Sequence, residues 1–138
     1  MRPQLKRYPN WPQRLSHAIA EKRVQDHAWG GNDCALCAAD LVAAMTGHDF
    51  GAPFRGRYSD EAGAWAILDS LGHPDLASLA TSVLPAGEGR IARGDVVLQP
   101  HPHGSFLGVA WGGGVVGPGP NGLGLVPRDP AAPFWRVG

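Results

Sequence analysis

The chain has 138 residues, and two cysteines and six histidines hold most of its reactive chemistry. Cys34 follows Asn32-Asp33 and opens the apolar run Cys-Ala-Leu-Cys-Ala-Ala-Asp-Leu-Val-Ala-Ala-Met-Thr, which ends at Gly47. A cysteine in the first turn of a buried helix feels the positive end of the helix dipole and faces unpaired N–H groups. Both favour the thiolate and lower the thiol pKa. Nucleophilic cysteines take this placement, and so do small apolar core residues. Asn32 or Asp33 is the expected N-cap and shapes the helix start. A carboxylate at Asp33 would raise the pKa of the neighbouring thiol, so no closer catalytic role is assigned to it.

Cys37 lies three residues further along the same run and reads as a core thiol. A thioredoxin-type redox pair requires a preceding apolar strand, whereas Cys34-Ala-Leu-Cys37 follows the polar turn Trp29-Gly30-Gly31-Asn32-Asp33. A zinc site would need His101 and His103 as its remaining ligands, and Pro102 restrains both. The expectation is two reduced thiols with no metal and no cofactor. A cysteine nucleophile needs a base, normally an imidazole. His101 and His103 are the best-placed candidates, just ahead of an expected strand. His17, His27, His48 and His73 read as solvated surface residues.

The elements that must position these groups are helical first and extended later. Asn10 is the expected cap of a helix from about Trp11 to Arg23, with Pro12 in its first turn and Leu15, Ala18, Ile19 and Lys22 on one face. The Cys34 helix is apolar almost all round, with Asp40 its only charge, so it belongs in the core. Ser59 or Asp60 caps a third helix that ends at Gly72, and a fourth is expected over Asp75 to Val83. Residues 85–138 hold 13 of the 20 glycines and 8 of the 13 prolines, and no lysine. They read as short strands: Asp95–Leu98, Phe106–Trp111, Gly114–Gly117, Leu123–Val126 and Phe134–Val137. Sequential short strands joined by turns predict an antiparallel meander and one α+β domain over residues 1–138.

Composition narrows the function classes. Lys plus Arg and Asp plus Glu both number 12, so the formal net charge is zero. A nucleic-acid binder or a membrane-surface module needs a basic excess. Near-zero charge gives little colloidal repulsion and suits a protein docked in an assembly. No apolar run reaches the roughly 18 residues of a membrane span. The basic N-terminus leads into Tyr8-Pro9-Asn10-Trp11-Pro12 rather than an apolar stretch, which predicts synthesis in the cytosol without a signal peptide.

Asn32-Asp33-Cys34-Ala-Leu resembles the Asp-Cys-Ser-Gly helix start of the NlpC-type cell-wall peptidases, which are papain-like cysteine hydrolases of peptidoglycan. Arg93-Gly94-Asp95-Val96-Val97 resembles their first strand, and Phe106-Leu107-Gly108-Val109-Ala110-Trp111 the next. The whole chain is similar to a compact NlpC-like family of tailed phages and prophages. The similarity rests on Trp29 to Cys34, Met45 to Gly47, Arg55 to Tyr58, Arg93 to Val97 and Trp135 to Val137. The resemblance implies a papain-like NlpC-type fold with the Cys34 helix packed on a C-terminal antiparallel sheet. It further implies Cys34 as nucleophile and a place in a phage tail tip beside other tail subunits, such as those of the hub. Phe106 stands where the peptidases carry their strand histidine, and Gly117 near the position of the orienting polar group. His103 or His101 would then have to supply the base. Two readings follow: a peptidoglycan-peptide hydrolase acting during infection, and a structural tail or baseplate protein without catalysis.

Overall fold

A computed structural model describes residues 4–102 and 104–138. Four helices, α1 (Trp11–Lys22), α2 (Cys34–Thr46), α3 (Glu61–Ser70) and α4 (Leu76–Val83), precede five strands. The strands are β1 (Val96–His101), β2 (Gly104–Trp111), β3 (Gly114–Gly119), β4 (Gly122–Pro127) and β5 (Phe134–Trp135). Short polar side chains start three of the helices. Asp33 accepts from the Leu36 N–H, Asp60 from Gly63 and Asp75 from Ser78, each satisfying a donor that the helix itself leaves orphaned. Gly47 closes α2 at φ 82°, a left-handed conformation that costs a glycine little. At α1 the expected cap does not form. The Asn10 side chain makes no cap bond and instead accepts from Arg14 Nε at 2.9 Å. Asn32 does not cap either, because Lys22 Nζ holds its oxygen and its amide donates to the Gln25 and Asp26 carbonyls.

The five strands form one antiparallel sheet in the order β4-β3-β2-β1-β5. The first four make the expected meander, and β5 returns to pair Trp135 with Val96 and Phe134 with Val97. β1 extends beyond Leu98 to His101, which lies opposite Gly104 across a tight hairpin. Pro100 is tolerated there because β5 reaches only Val96 and Val97, leaving that part of β1 with one laddered neighbour.

α2 lies between α1 and the sheet, touching β2 and β3. Its residues Leu36, Leu41, Val42 and Met45 are fully buried, as are Leu15 of α1 and Val96, Leu107 and Val109 of the sheet. All belong to one continuous core. Each such side chain contributes roughly 1.5–3 kcal/mol by leaving water, so the core anchors the helix that begins at Cys34.

Candidate functional site around Cys34

Cys34 occupies the first turn of α2, where the sheet and the helices meet. The turn before it is built locally. Ala28 and Asn32 bridge one another, the Asn32 N–H donates to the Ala28 carbonyl at 2.7 Å, and the His27 N–H donates to the Gly119 carbonyl of β3 at 3.0 Å. Asp33 is buried and has three donors: Leu36 N–H, Gly30 N–H at 3.1 Å, and the Tyr58 hydroxyl. Burial and the adjacent carboxylate push the Tyr58 phenol well above its ordinary pKa. The Arg-Gly-Arg-Tyr loop therefore buttresses the start of α2.

The Cys34 thiol is only partly exposed. Burial above all, with the Asp33 charge adding to it, pushes its pKa up to about 11. The backbone N–H of Leu107 opposes this by hydrogen bonding towards the sulfur, as do the N–H groups of Ala35 and Cys34 itself. β3 pairs with β2 only from Val109 onward, which leaves the first half of β2 open on that side. The expectation of a lowered pKa is thus overturned. The helix terminus and strand do aim donors at the sulfur, but desolvation outweighs them. Cys37 is buried and pushed up to about 12, chiefly by the same desolvation.

Two cavities meet at Cys34. The first, about 450 Å³, lies between the helices and the hairpin and is lined by Trp29, Asp33, Tyr58, Glu61, Trp65 and Leu98 among others. The second, about 350 Å³, runs towards β3 and β4 past His27, His101, Phe106, Gly117, Gly119 and Gly124. Trp29, Cys34, Gly104 and Ser105 line both, so the thiol sits at the junction of a two-lobed groove. Of the two proposed bases, His101 is exposed at the end of β1 and lines the second lobe. Its ring stands edge-on to Phe106 at 6.0 Å. His103 lies outside the described residues.

His27 is the imidazole that sequence reasoning missed. It is half-buried, lines the same lobe as Cys34, and packs edge-on against Trp29 at 4.7 Å. The available signal was its place seven residues before Cys34, across a turn that folds back on itself. His17 pairs with Glu21 and His73 with Ser78, and neither imidazole lines the groove.

The strand position expected to hold a histidine carries an apolar pair. A Cβ at Gly117 would lie 2.9 Å from the Phe106 ring. The ring therefore rests on a bare glycine backbone, in the space that an imidazole and its polar partner would need. Among the described residues, no three His, Cys, Asp or Glu side chains converge as metal ligands.

A family model described as "Domain of unknown function (DUF6950)" matches residues 6–137. The chain belongs to the DUF6950 family. No curated protein and no solved structure matches it. The match covers both halves of the groove, so the Cys34 turn and the β1–β2 hairpin lie within one DUF6950 domain.

Proposed function

We propose that this DUF6950 domain is an NlpC-like, papain-type cysteine hydrolase that acts on peptidoglycan peptides from a phage tail tip, where other tail subunits hold it. The observation that carries the reading is the thiol at a helix N-terminus in the floor of a two-lobed groove, with imidazoles on the wall. A peptide laid along the groove would place one residue in each lobe and its linking carbonyl over Cys34. His101, or His103 two residues on in the sequence, takes the thiol proton as the sulfur attacks the carbonyl carbon. The imidazolium then protonates the departing amine, and water, deprotonated by the same imidazole, releases the acyl group from the sulfur. His27 faces the same lobe and is the alternative proton acceptor.

A second reading, a structural tail protein without catalysis, is favoured by Phe106 resting on Gly117 and by the high thiol pKa. Burial that holds the thiol proton opposes its transfer to a base, and substrate binding would have to offset that. Incubating purified muropeptides with the wild type and with Cys34→Ala, and reading the products by mass spectrometry, separates the two. Cleavage by the wild type, lost in the variant, is the expected result. Intact muropeptides, with the protein detected in purified tails, would establish the structural reading.

A further inference from the structure

The net charge of zero conceals a separation of charge along the chain. Residues 24–75 carry eight Asp and Glu against Arg55 and Arg57, whereas residues 4–23 carry five Lys and Arg against Glu21 alone. Part of that basic excess meets Arg93 where the start of α1 approaches the end of β2. Arg7 stands 4.2 Å from the centroid of the Trp11 ring, and Arg93 stands 5.4 Å from the rings of both Trp11 and Trp111. Arg7 is committed, since it donates to the Arg93 and Val137 carbonyls and to Asp95. Asp95 is shared with Arg136, and His17 holds Glu21 at 2.7 Å. Among the described residues no carboxylate is left to pair with the exposed Arg93 guanidinium. Burial above all lowers the Arg7 pKa against the pull of Asp95, and the charges of Arg136 and Arg93 lower it too, so the three cations lie within one another's fields. Beside Arg93 a cleft of about 530 Å³ opens, lined by α1 residues between Pro12 and Ala20, by Trp111 and by Arg93 itself. None of its lining residues lines either lobe of the Cys34 groove.

We propose that this face docks an acidic segment of a partner protein, with a Glu or Asp carboxylate seated on the Arg93 guanidinium and the neighbouring chain laid against Trp11 and Trp111. The inference does not rest on the Cys34 groove or on hydrolysis. Charge complementarity selects the occupant: an unpaired guanidinium beside committed cations attracts an anion, and its planar fork matches a carboxylate. The two indoles hold Arg93 in place, so less side-chain freedom is lost on binding, and Trp and Arg are the residue types that dominate interface energies. A nucleic acid or an anionic membrane is an extended anion and would bring its charge against the acidic segment 24–75 as well. A short acidic peptide need reach only the cleft.

The test uses the full chain labelled with ¹⁵N. The probes are an end-blocked Ala-Glu-Glu-Ala peptide, its Ala-Gln-Gln-Ala counterpart, a short oligothymidylate and phosphatidylglycerol vesicles. The acidic peptide is expected to perturb the Trp11 and Trp111 indole N–H signals and to leave that of Trp65, in the Cys34 groove, unchanged. The Gln peptide is expected to bind about tenfold more weakly. Arg93→Gln weakens the acidic peptide about fivefold, in keeping with an exposed charge pair, and Arg93→Lys roughly twofold, because the charge stays but the fork is lost. Arg57→Gln removes the same charge from the acidic segment and leaves binding unchanged. Equal affinity for the Gln peptide, the same loss in Arg57→Gln as in Arg93→Gln, perturbation of Trp65 in place of Trp11 and Trp111, or absence of binding would each overturn the proposal. Tighter binding of the oligothymidylate or the vesicles than of the acidic peptide would also overturn it. Acid-selective binding by a protein that cleaves no muropeptide would remove the hydrolase reading and leave this one standing.

Discussion

At Cys34 two opposing influences act on one sulfur atom. The helix start and the Leu107 N–H favour the thiolate, while burial and Asp33 favour the thiol, and burial is the largest. A thiol near 11 instead of its ordinary 9 holds about 100-fold less thiolate at neutral pH. Alkylation by iodoacetamide, followed by mass spectrometry, is therefore expected to be slow at pH 7.5 and to rise about tenfold per pH unit until near pH 11. A rate already on its plateau at pH 8 would contradict this. The same shift has a stability consequence. The unfolded chain gives up its thiol protons from about pH 9, while the native state keeps them to about 11 or 12, so native stability falls as pH rises through that window. Composition and spacing revealed where Cys34 sits, since capping is local. They did not reveal its pKa, because the groove that buries the sulfur is assembled from segments far apart in the chain. His27 was hidden for the same reason: only the β3 strand, some 90 residues on, turns its segment into a groove wall.

The elements were legible where their signals are short-range. Asp33 with Gly47, Asp60 with Gly72, and Asp75 each mark a helix end within one turn, and the helices begin where those residues place them. Asn10 carried the same signal and failed, because Arg14 one turn along competes for its oxygen. Strand ends were less legible, since a strand stops where its neighbour stops. β1 runs past Pro100 because β2 continues opposite it, and β5 stops after Trp135 although Val137 is also apolar and buried. Asp33 is the element-scale residue with most to lose. Asp33→Ala removes a cap and strips partners from the Gly30 N–H and the Tyr58 hydroxyl. The expected cost is about 2 kcal/mol, or roughly 6–8 °C in Tm. Asp33→Asn should recover much of it. Calorimetry of the two variants checks both, and an unchanged Tm for Asp33→Ala would show that the turn is held by other contacts.

Across the whole molecule, Asp95 gathers segments far apart in sequence. Its side chain is fully buried, accepts from the Ala92 N–H, and pairs with Arg7 at 3.3 Å and Arg136 at 3.2 Å. Arg7 also reaches the Val137 carbonyl, so both ends of the described chain are fastened to the start of β1. Asp95→Ala leaves two guanidinium groups without their carboxylate and is expected to cost about 3–5 kcal/mol. Denaturant unfolding measures this, and a loss below about 1 kcal/mol would mean that solvent replaces the carboxylate at both arginines. The Arg-Gly-Asp-Val-Val stretch stood out in the sequence, but its partners lie 88 and 41 residues away, beyond the reach of pattern reading. The order of elements also carries a consequence for biosynthesis. The helices emerge from the ribosome first and the sheet last, and chains leave it at roughly 5–20 residues per second. The β2 wall of the groove beside Cys34, with Leu107 and Phe106, does not exist until more than 70 further residues have followed it. For those seconds the nascent chain carries an ordinary thiol with no groove around it, so the sulfur is open to oxidants during synthesis and becomes shielded when the last strands close over it.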